Sequence, residues 1–326
     1  MADKTISEIL APFNFAVFRV TLEAIDELHL PAYKGSAIRG GFGHTFRRVV
    51  CPLKRQNCDD CELSSKCVYS YIFETMPSKD DPFLRNVRDK VAHPYIIRPP
   101  LDDREKYEPG EELEFDLVLI GKAMGYLPYF AYTFIQMGEN GLGCGKGKFM
   151  LKSIDSMGLN GDDTRIYHSG DEVLKNTNRP ITCKDLIESF PPPGKCTFRF
   201  LTRLELKEKR KYPEISFGTL FRRLLARITT LAHLHCGIDC AKLDFSGLSH
   251  AADEIKTVNS YLRWEHAIRY SNRQMQRMPF GGLLGDITFE GDLTPFRPFI
   301  LLGEWVHVGK KTSFGLGRYE ILGVHH

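Results

Sequence analysis

At 326 residues, 42% hydrophobic and 26% charged, the chain is long enough for two folded cores and too apolar to be a disordered polymer. It has no uninterrupted apolar stretch of membrane-spanning length, and "MADKTISEILAPFNF" lacks a basic segment followed by an apolar one, so neither a membrane span nor a secretory leader is expected and the expected location is cytoplasmic. Nine cysteines, an odd number, fit a reducing compartment where thiols pack, react or bind metal. The net charge of +3 hides segregation: Lys34, Arg39, Arg47, Arg48, Lys54 and Arg55 lie between Leu28 and Cys58 with no acid among them, whereas Asp155 to Glu172 is strongly acidic. Such a basic block suits phosphate groups.

In chain order, "FAVFRVTLE" from Phe15 is strand-like, and a turn containing Tyr33 and Lys34 leads to a helix over 35–50. "EELEFDLVLIG" near Glu111 is a second strand candidate, "YLPYFAYTFIQMG" an aromatic helical stretch, and "GLGCGKGKFMLKSI" at 141–154 a glycine-rich turn running into a strand. Residues 158–195, acidic and ending in "PPPGK", read as a linker with room for a small hairpin. The series then recurs. "CTFRFLTRLEL" from Cys196 is strand-like, "GDITFEGDL" near Gly285 is another strand, "PFRPFILLGEWVHVG" is the aromatic stretch, and "GKKTSFGLGRYEILG" at 309–323 is the glycine-rich turn and closing strand. The helices even share a heptapeptide, "FGHTFRR" at 42–48 and "FGTLFRR" at 217–223. A duplicated domain carries its whole topology with it. Each copy reads strand, helix, two strands, helix, strand, so the expected fold is α+β, with tandem ferredoxin-like βαββαβ domains over 1–157 and 196–326. The second copy is expected to carry a helical insert at 248–278.

Two such units, each with a glycine-rich loop before its last strand, resemble the RNA-binding proteins of the RAMP (repeat-associated mysterious protein) superfamily of CRISPR systems. The resemblance is to their precursor-CRISPR-RNA processing endoribonucleases. Four stretches carry it: "LPAYKGSAIRGGFGHTFRRVVC", the cysteines that follow, "RYSNRQMQRMPFGGLLGDITFEGDL" and "HVGKKTSFGLGRYEI". The resemblance implies an RRM-like fold, CRISPR repeat RNA as partner, association with a CRISPR effector complex, and metal-independent cleavage inside the repeat. In that reaction a ribose 2'-hydroxyl attacks the adjacent phosphate and leaves a 2',3'-cyclic phosphate and a 5'-hydroxyl. It also implies a histidine on the first helix of the first unit as acid or base, with a tyrosine and a lysine nearby. The same resemblance admits a second reading, a non-catalytic subunit that holds guide RNA.

On the helix over 35–50, Ile38, Phe42, Phe46 and Val49 make one apolar stripe. His44 falls about 200 degrees from Phe42 and is expected on the open side, in line with Gly40, Gly41, Arg47 and Arg48. Imidazole can hold or release a proton near neutral pH. Thr219, at the corresponding place in the second heptapeptide, cannot, which assigns the chemistry to the first copy. Tyr33 is expected to orient His44 or the scissile phosphate, and His307, beside Lys310 and Lys311 in the second glycine-rich loop, is the rival acid or base. Expected RNA-binding residues are Arg39, Arg47, Arg48, Lys54, Lys146, Lys310, Lys311 and Arg318. In the insert, Arg269, Arg273 and Arg277 recur every four residues, as on one helical face.

Cys51, Cys58, Cys61 and Cys67 form C-x6-C-x2-C-x5-C, which suits tetrahedral zinc or a [4Fe-4S] cluster in a structural role, with no cofactor needed for catalysis. The spacing is similar to the iron-sulfur loop of endonuclease III-like DNA glycosylases, but no other feature matches that helical fold. "HLHCGIDC" at 233–240 is the weaker metal pattern and is expected to be packing.

Overall fold

The computed structural model describes residues 5–53, 58, 61–75, 81, 83, 91–171, 173–175, 179–189, 194–206, 215–271 and 276–322. They form two compact bodies. The N-terminal body comprises Asn14–Ile181 with Leu234–Cys236, and the C-terminal body comprises the rest, including the short first helix α1 (Ile6–Leu10).

In the N-terminal body, β1 (Asn14–Ala24) is followed by the two-residue β2 (Leu28–His29) and by α2 (Gly35–Val50). Then come β3 (Tyr95–Arg98), β4 (Lys106–Tyr107), β5 (Glu112–Ile120), α3 (Leu127–Asn140), β6 (Phe149–Met157) and β7 (Thr164–His168). The main sheet runs β3-β5-β1-β6-β7 with antiparallel pairing throughout. The first strand therefore sits between the last strand of the βαββαβ unit and its third, the ferredoxin-like order expected from the sequence. Helix α2 ends at Cys51, whose backbone is extended because Pro52 follows it. Its stripe of Ile38, Phe42 and Phe46 is fully buried, and the Phe42 ring lies 4.9 Å from Phe130 and 5.1 Å from Phe134 on α3. Each such ring contributes roughly 1.5–3 kcal/mol by its burial. The stripe fixes which side of α2 is left open.

A two-residue β8 (Ile181–Thr182) and α4 (Cys183–Ser189) precede the second copy. There β9 (Lys195–Leu204), α5 (Phe217–Cys236), α6 (Phe245–Asp253), β10 (Lys256–Ser260), β11 (Arg263–Glu265), β12 (Ile268–Ser271), β13 (Gln276–Pro279), β14 (Gly282–Glu290), α7 (Arg297–Val306) and β15 (Tyr319–Leu322) follow. The sheet order β10-β14-β9-β15 repeats the arrangement of the first body, again with the first strand inside.

The acidic stretch after β6 carries a strand, in keeping with the room for a hairpin there: β7 pairs with β6, placing Arg165 opposite Asp155, and extends the sheet. Two expectations need correction. The insert at 248–278 is mostly strand. Only Phe245–Asp253 is helical, because the β-branched and aromatic run from Thr257 to Trp264 pairs with the open edge of β14. Arg269 consequently lies opposite Met278 in the β12–β13 hairpin rather than on a helical face, and Arg273 lies outside the described residues. The heptapeptides also sit differently, since "FGHTFRR" occupies the second half of α2 and "FGTLFRR" opens α5. Thr219 is in the first turn, where its backbone N–H donates to the Ser216 hydroxyl that caps the helix. The repeat records one amphipathic packing pattern used at two helical positions.

Candidate active site and nucleic-acid interface

Gly40, His44 and Arg48 are the exposed residues of the middle of α2, spaced one turn apart on the side away from the Phe42 stripe. A Cβ at Gly40 would meet nothing within 4 Å, so a ligand backbone can come close to the helix there. Gly41, expected on the same open face, instead faces the protein, where a Cβ would stand 3.0 Å from both Leu142 Cδ1 and Met137 Sδ. Its missing side chain seats α2 against α3 and the first glycine-rich loop.

The arginines divide as well. Arg39 lies with its guanidinium 5.0 Å from the Phe73 ring centre, and Arg47 lies 5.6 Å from that of Tyr69, both partly buried on the turn of helix at Ser70–Glu74 and the residue before it. Arg48 alone of the three is exposed beside His44. Tyr33 precedes the first turn of α2, and nine residues of helix separate Gly35 from His44, an axial distance of about 14 Å. Lys34, next to Tyr33, is fully buried, and its ammonium donates to the Asp102 carboxylate at 2.7 Å and to the carbonyls of Asp102 and Ala32. That clamp fixes the start of α2.

The first glycine-rich loop is locked by the Leu142 N–H donating to Gly147 O and by the Cys144 N–H donating to His29 O, both at 2.9 Å. Gly141, Gly143 and Gly145 have positive φ, and Lys146 shares that conformation at 54° with its side chain exposed. Lys146 is thus held at the tip, as a phosphate-binding residue requires.

The second loop is built differently. His307 is fully buried and its Nδ1 donates to the Leu316 carbonyl at 3.2 Å, so the imidazole braces the loop and is closed to a substrate. Its place as rival acid or base is corrected on that ground. Lys310 and Lys311 both bind the Glu205 carboxylate, and Lys311 also donates to Pro279 O and lies 5.6 Å from the centre of the Phe280 ring. Lys310 remains exposed and Arg318 half-buried. Lys54 lies outside the described residues.

The four cysteines of the metal pattern are all half-buried free thiols. Cys51 closes α2, the Cys61 N–H donates to Cys58 O at 3.3 Å, and Cys58 and Cys67 pack against the core. Burial pushes the Cys58 thiol up, opposed by Arg47 and reinforced by Glu74, Cys51 and Cys67. Three of the thiols share one neighbourhood, yet among the described residues no three Cys, His, Asp or Glu groups stand together as a ready metal site. In "HLHCGIDC", His235 is buried with Nδ1 at 3.0 Å from the Tyr71 hydroxyl and Nε2 at 3.1 Å from Ala92 O, so it packs as expected.

One pair was not singled out by sequence reasoning. His29 and Glu27 flank Leu28 at the start of β2, and the imidazole Nε2 contacts the Glu27 carboxylate. Lys106 binds the other oxygen of that carboxylate at 2.5 Å, and it and then His29 hold Glu27 below the usual carboxylate range. The signal was an acid and a histidine two apart, which share one face of extended chain.

The chain is thus a tandem ferredoxin-like α+β protein with an imidazole, an arginine and a glycine exposed along one helix, beside a glycine-rich loop. Residues 13–179 match the family AF_1859_N, an N-terminal domain, over just more than half the chain, and residues 198–319 match the family of the CRISPR-associated endoribonuclease Cas6. The chain belongs to the AF_1859_N family, and its second half is similar to the Cas6 endoribonucleases. It is 23% identical over 303 residues to an uncharacterised protein of Archaeoglobus fulgidus, covering 90% of this chain and 93% of that one. In fold it is similar to Thermus thermophilus Cas6, with a TM-score of 0.53 and 16% identity over 95% of this chain and 99% of that one. It is likewise similar to a Cas6 product complex, at 0.55 and 15% over 94% of this chain and all of that one. A chain of a Cas6-RT-Cas1–Cas2 complex matches at 0.56 and 14%, and there 96% of this chain spans 47% of the longer one. Among the described residues no helix is long and apolar enough to cross a membrane.

Proposed function

We propose that this protein binds CRISPR repeat RNA and cuts it within the repeat, with the ribose 2'-hydroxyl attacking the neighbouring phosphate to leave a 2',3'-cyclic phosphate and a 5'-hydroxyl. The observation that carries the reading is the exposed stripe of Gly40, His44 and Arg48 on α2: open backbone for close approach, a forked donor for phosphate, and an imidazole for proton transfer. His44 exchanges a proton in the reaction, Arg48 and Lys146 hold phosphate oxygens, and the chemistry needs no metal. RNA is the first partner, and a CRISPR effector complex that receives the product is the second. We propose also that Cys51, Cys58, Cys61 and Cys67 hold one zinc ion or one [4Fe-4S] cluster in a structural role. The C-x6-C-x2-C-x5-C spacing and the shared neighbourhood of Cys51, Cys58 and Cys67 support this.

The test of the main reading is to incubate the protein with end-labelled repeat RNA in excess chelator. Cutting at one position, with a cyclic phosphate end, is the result expected. Tight binding without a cut overturns the enzymatic reading in favour of a guide-RNA-holding subunit.

A further inference from the structure

Breaking RNA by 2'-hydroxyl attack moves two protons: one leaves the 2'-oxygen as it bonds to phosphorus, and one reaches the 5'-oxygen as its bond to phosphorus breaks. A single imidazole on α2 performs one of these transfers within a step. The two other groups that the sequence offered are unsuited by position, since His307 is fully buried against Leu316 O and Tyr33 lies at the far end of α2.

His29 meets the requirement. Its side chain is about half exposed, at 51%. Its backbone carbonyl accepts from the Cys144 N–H of the first glycine-rich loop, so the strand and the loop move as one piece. The loop also ties it to α2. Leu142 packs on Gly41, one turn before His44, while the adjoining Gly143 presses on His29, where a Cβ would stand 2.1 Å from the His29 carbonyl oxygen. The Leu142–Gly143 dipeptide, in the loop whose tip is Lys146, thus meets the His29 carbonyl on one side and the α2 backbone at Gly41, three residues before His44, on the other. The orientation of the ring is fixed too: an ionised carboxylate can only accept, so in the neutral imidazole the proton sits on the nitrogen facing Glu27, Nε2, and Nδ1 is left with the lone pair. Lys106 holds the other oxygen of Glu27 in place. A histidine whose one nitrogen is bound to a carboxylate and whose other is open has the arrangement of a general base.

We infer that His29 is a second catalytic residue of this site, taking the 2'-hydroxyl proton on Nδ1 with Glu27 as its positioning partner, while His44 donates a proton to the leaving 5'-oxygen. The base ends protonated on both nitrogens and facing Glu27, and the acid ends neutral. One exchange with water restores both. The inference rests on the cleavage reading above.

The experiment compares two repeat RNAs, one with the natural 5'-oxygen at the scissile bond and one with sulfur in its place. Sulfur leaves without needing a proton, so it relieves the loss of a general acid and not the loss of a base. With the oxygen substrate, His29→Ala and His44→Ala should each slow single-turnover cleavage by at least about a hundredfold, and Glu27→Gln by roughly tenfold, with RNA binding within about threefold of the parent. With the sulfur substrate, His44→Ala should recover most of the parental rate and His29→Ala and Glu27→Gln should stay slow. His29→Gln guards against a folding artefact, because it keeps a polar side chain on the exposed strand, and it should behave as His29→Ala does. The inference is overturned if His29→Ala cuts the oxygen substrate within about threefold of the parent, or if sulfur rescues His29→Ala and not His44→Ala. A parent protein that binds but cuts neither RNA overturns the cleavage reading itself, and the inference with it.

Discussion

The imidazole of His307 donates from Nδ1 to the carbonyl oxygen of Leu316 at 3.2 Å, fully enclosed at the base of the second glycine-rich loop. His307 adopts φ of 60°, and a Cβ at Gly317 would stand 1.8 Å from Val308 O, so the chain folds back tightly there and the ring spans the fold. His307→Ala should therefore act on stability. Leaving a buried carbonyl without its donor costs about 1–3 kcal/mol, visible as a lowered denaturant midpoint. Cleavage by the folded fraction should remain within about threefold of the parent. A hundredfold slower variant of unchanged stability would contradict this role.

Gly40 and Gly41 should separate cleanly. Gly40→Ala enters open space and should stabilise α2 by about 0.5–1 kcal/mol while weakening RNA binding, because the backbone approach is lost. Gly41→Val should destabilise by roughly 1–3 kcal/mol through its clash with Leu142 and Met137. Thermal melts and RNA titrations on both proteins check this, and RNA affinity unchanged by Gly40→Ala would show that this face carries no RNA.

Arg47 and Arg48 are neighbours in sequence with different roles. Arg48→Ala should weaken RNA binding and reduce the slope of log affinity against log salt by roughly 0.7 to 1. Arg47→Ala should instead cost about 0.5–1 kcal/mol of stability through its lost contact with Tyr69. The reverse pattern in salt titrations would place the phosphate on the other arginine.

The Lys34 clamp predicts an acid-sensitive component of stability. Burial alone would raise the Asp102 carboxyl, but the Lys34 ammonium and the Arg104 N–H outweigh it and hold the group below its usual range. The stabilisation is therefore fully present above the unfolded pKa of about 4 and is lost as pH falls through the lower folded value. Asp102→Asn should flatten that part of the pH–stability curve, and an unchanged curve would contradict the assignment.

Metal analysis of anaerobically purified protein should find one zinc, or four iron with sulfide and absorbance near about 400 nm, per chain. Absence of all three in a folded sample removes the proposed centre.

The sequence carried the fold further than the site. Strand periodicity, the two aromatic stretches and the glycine-rich turns marked both ferredoxin-like units, since each depends on local pattern. The insert was misread because arginines four apart look helical, whereas the open edge of β14 drew Lys256–Glu265 into strands. Helical phase placed His44 and Arg48 correctly. It could not show that Arg39 and Arg47 fold onto Phe73 and Tyr69, or that His307 is enclosed, because those outcomes depend on contacts remote in sequence. The Glu27–His29 pair was overlooked for a related reason: its significance comes from the backbone bond between His29 and Cys144, over a hundred residues away.

The central claim is that the open face of α2 performs proton transfer on bound RNA. The most direct measurement is the single-turnover cleavage rate of His44→Ala on labelled repeat RNA in chelator, with binding measured on the same preparation. The rate should fall by at least about a hundredfold while affinity stays within about threefold of the parent. Cleavage at the parental rate, with the same cyclic phosphate end, would contradict the account.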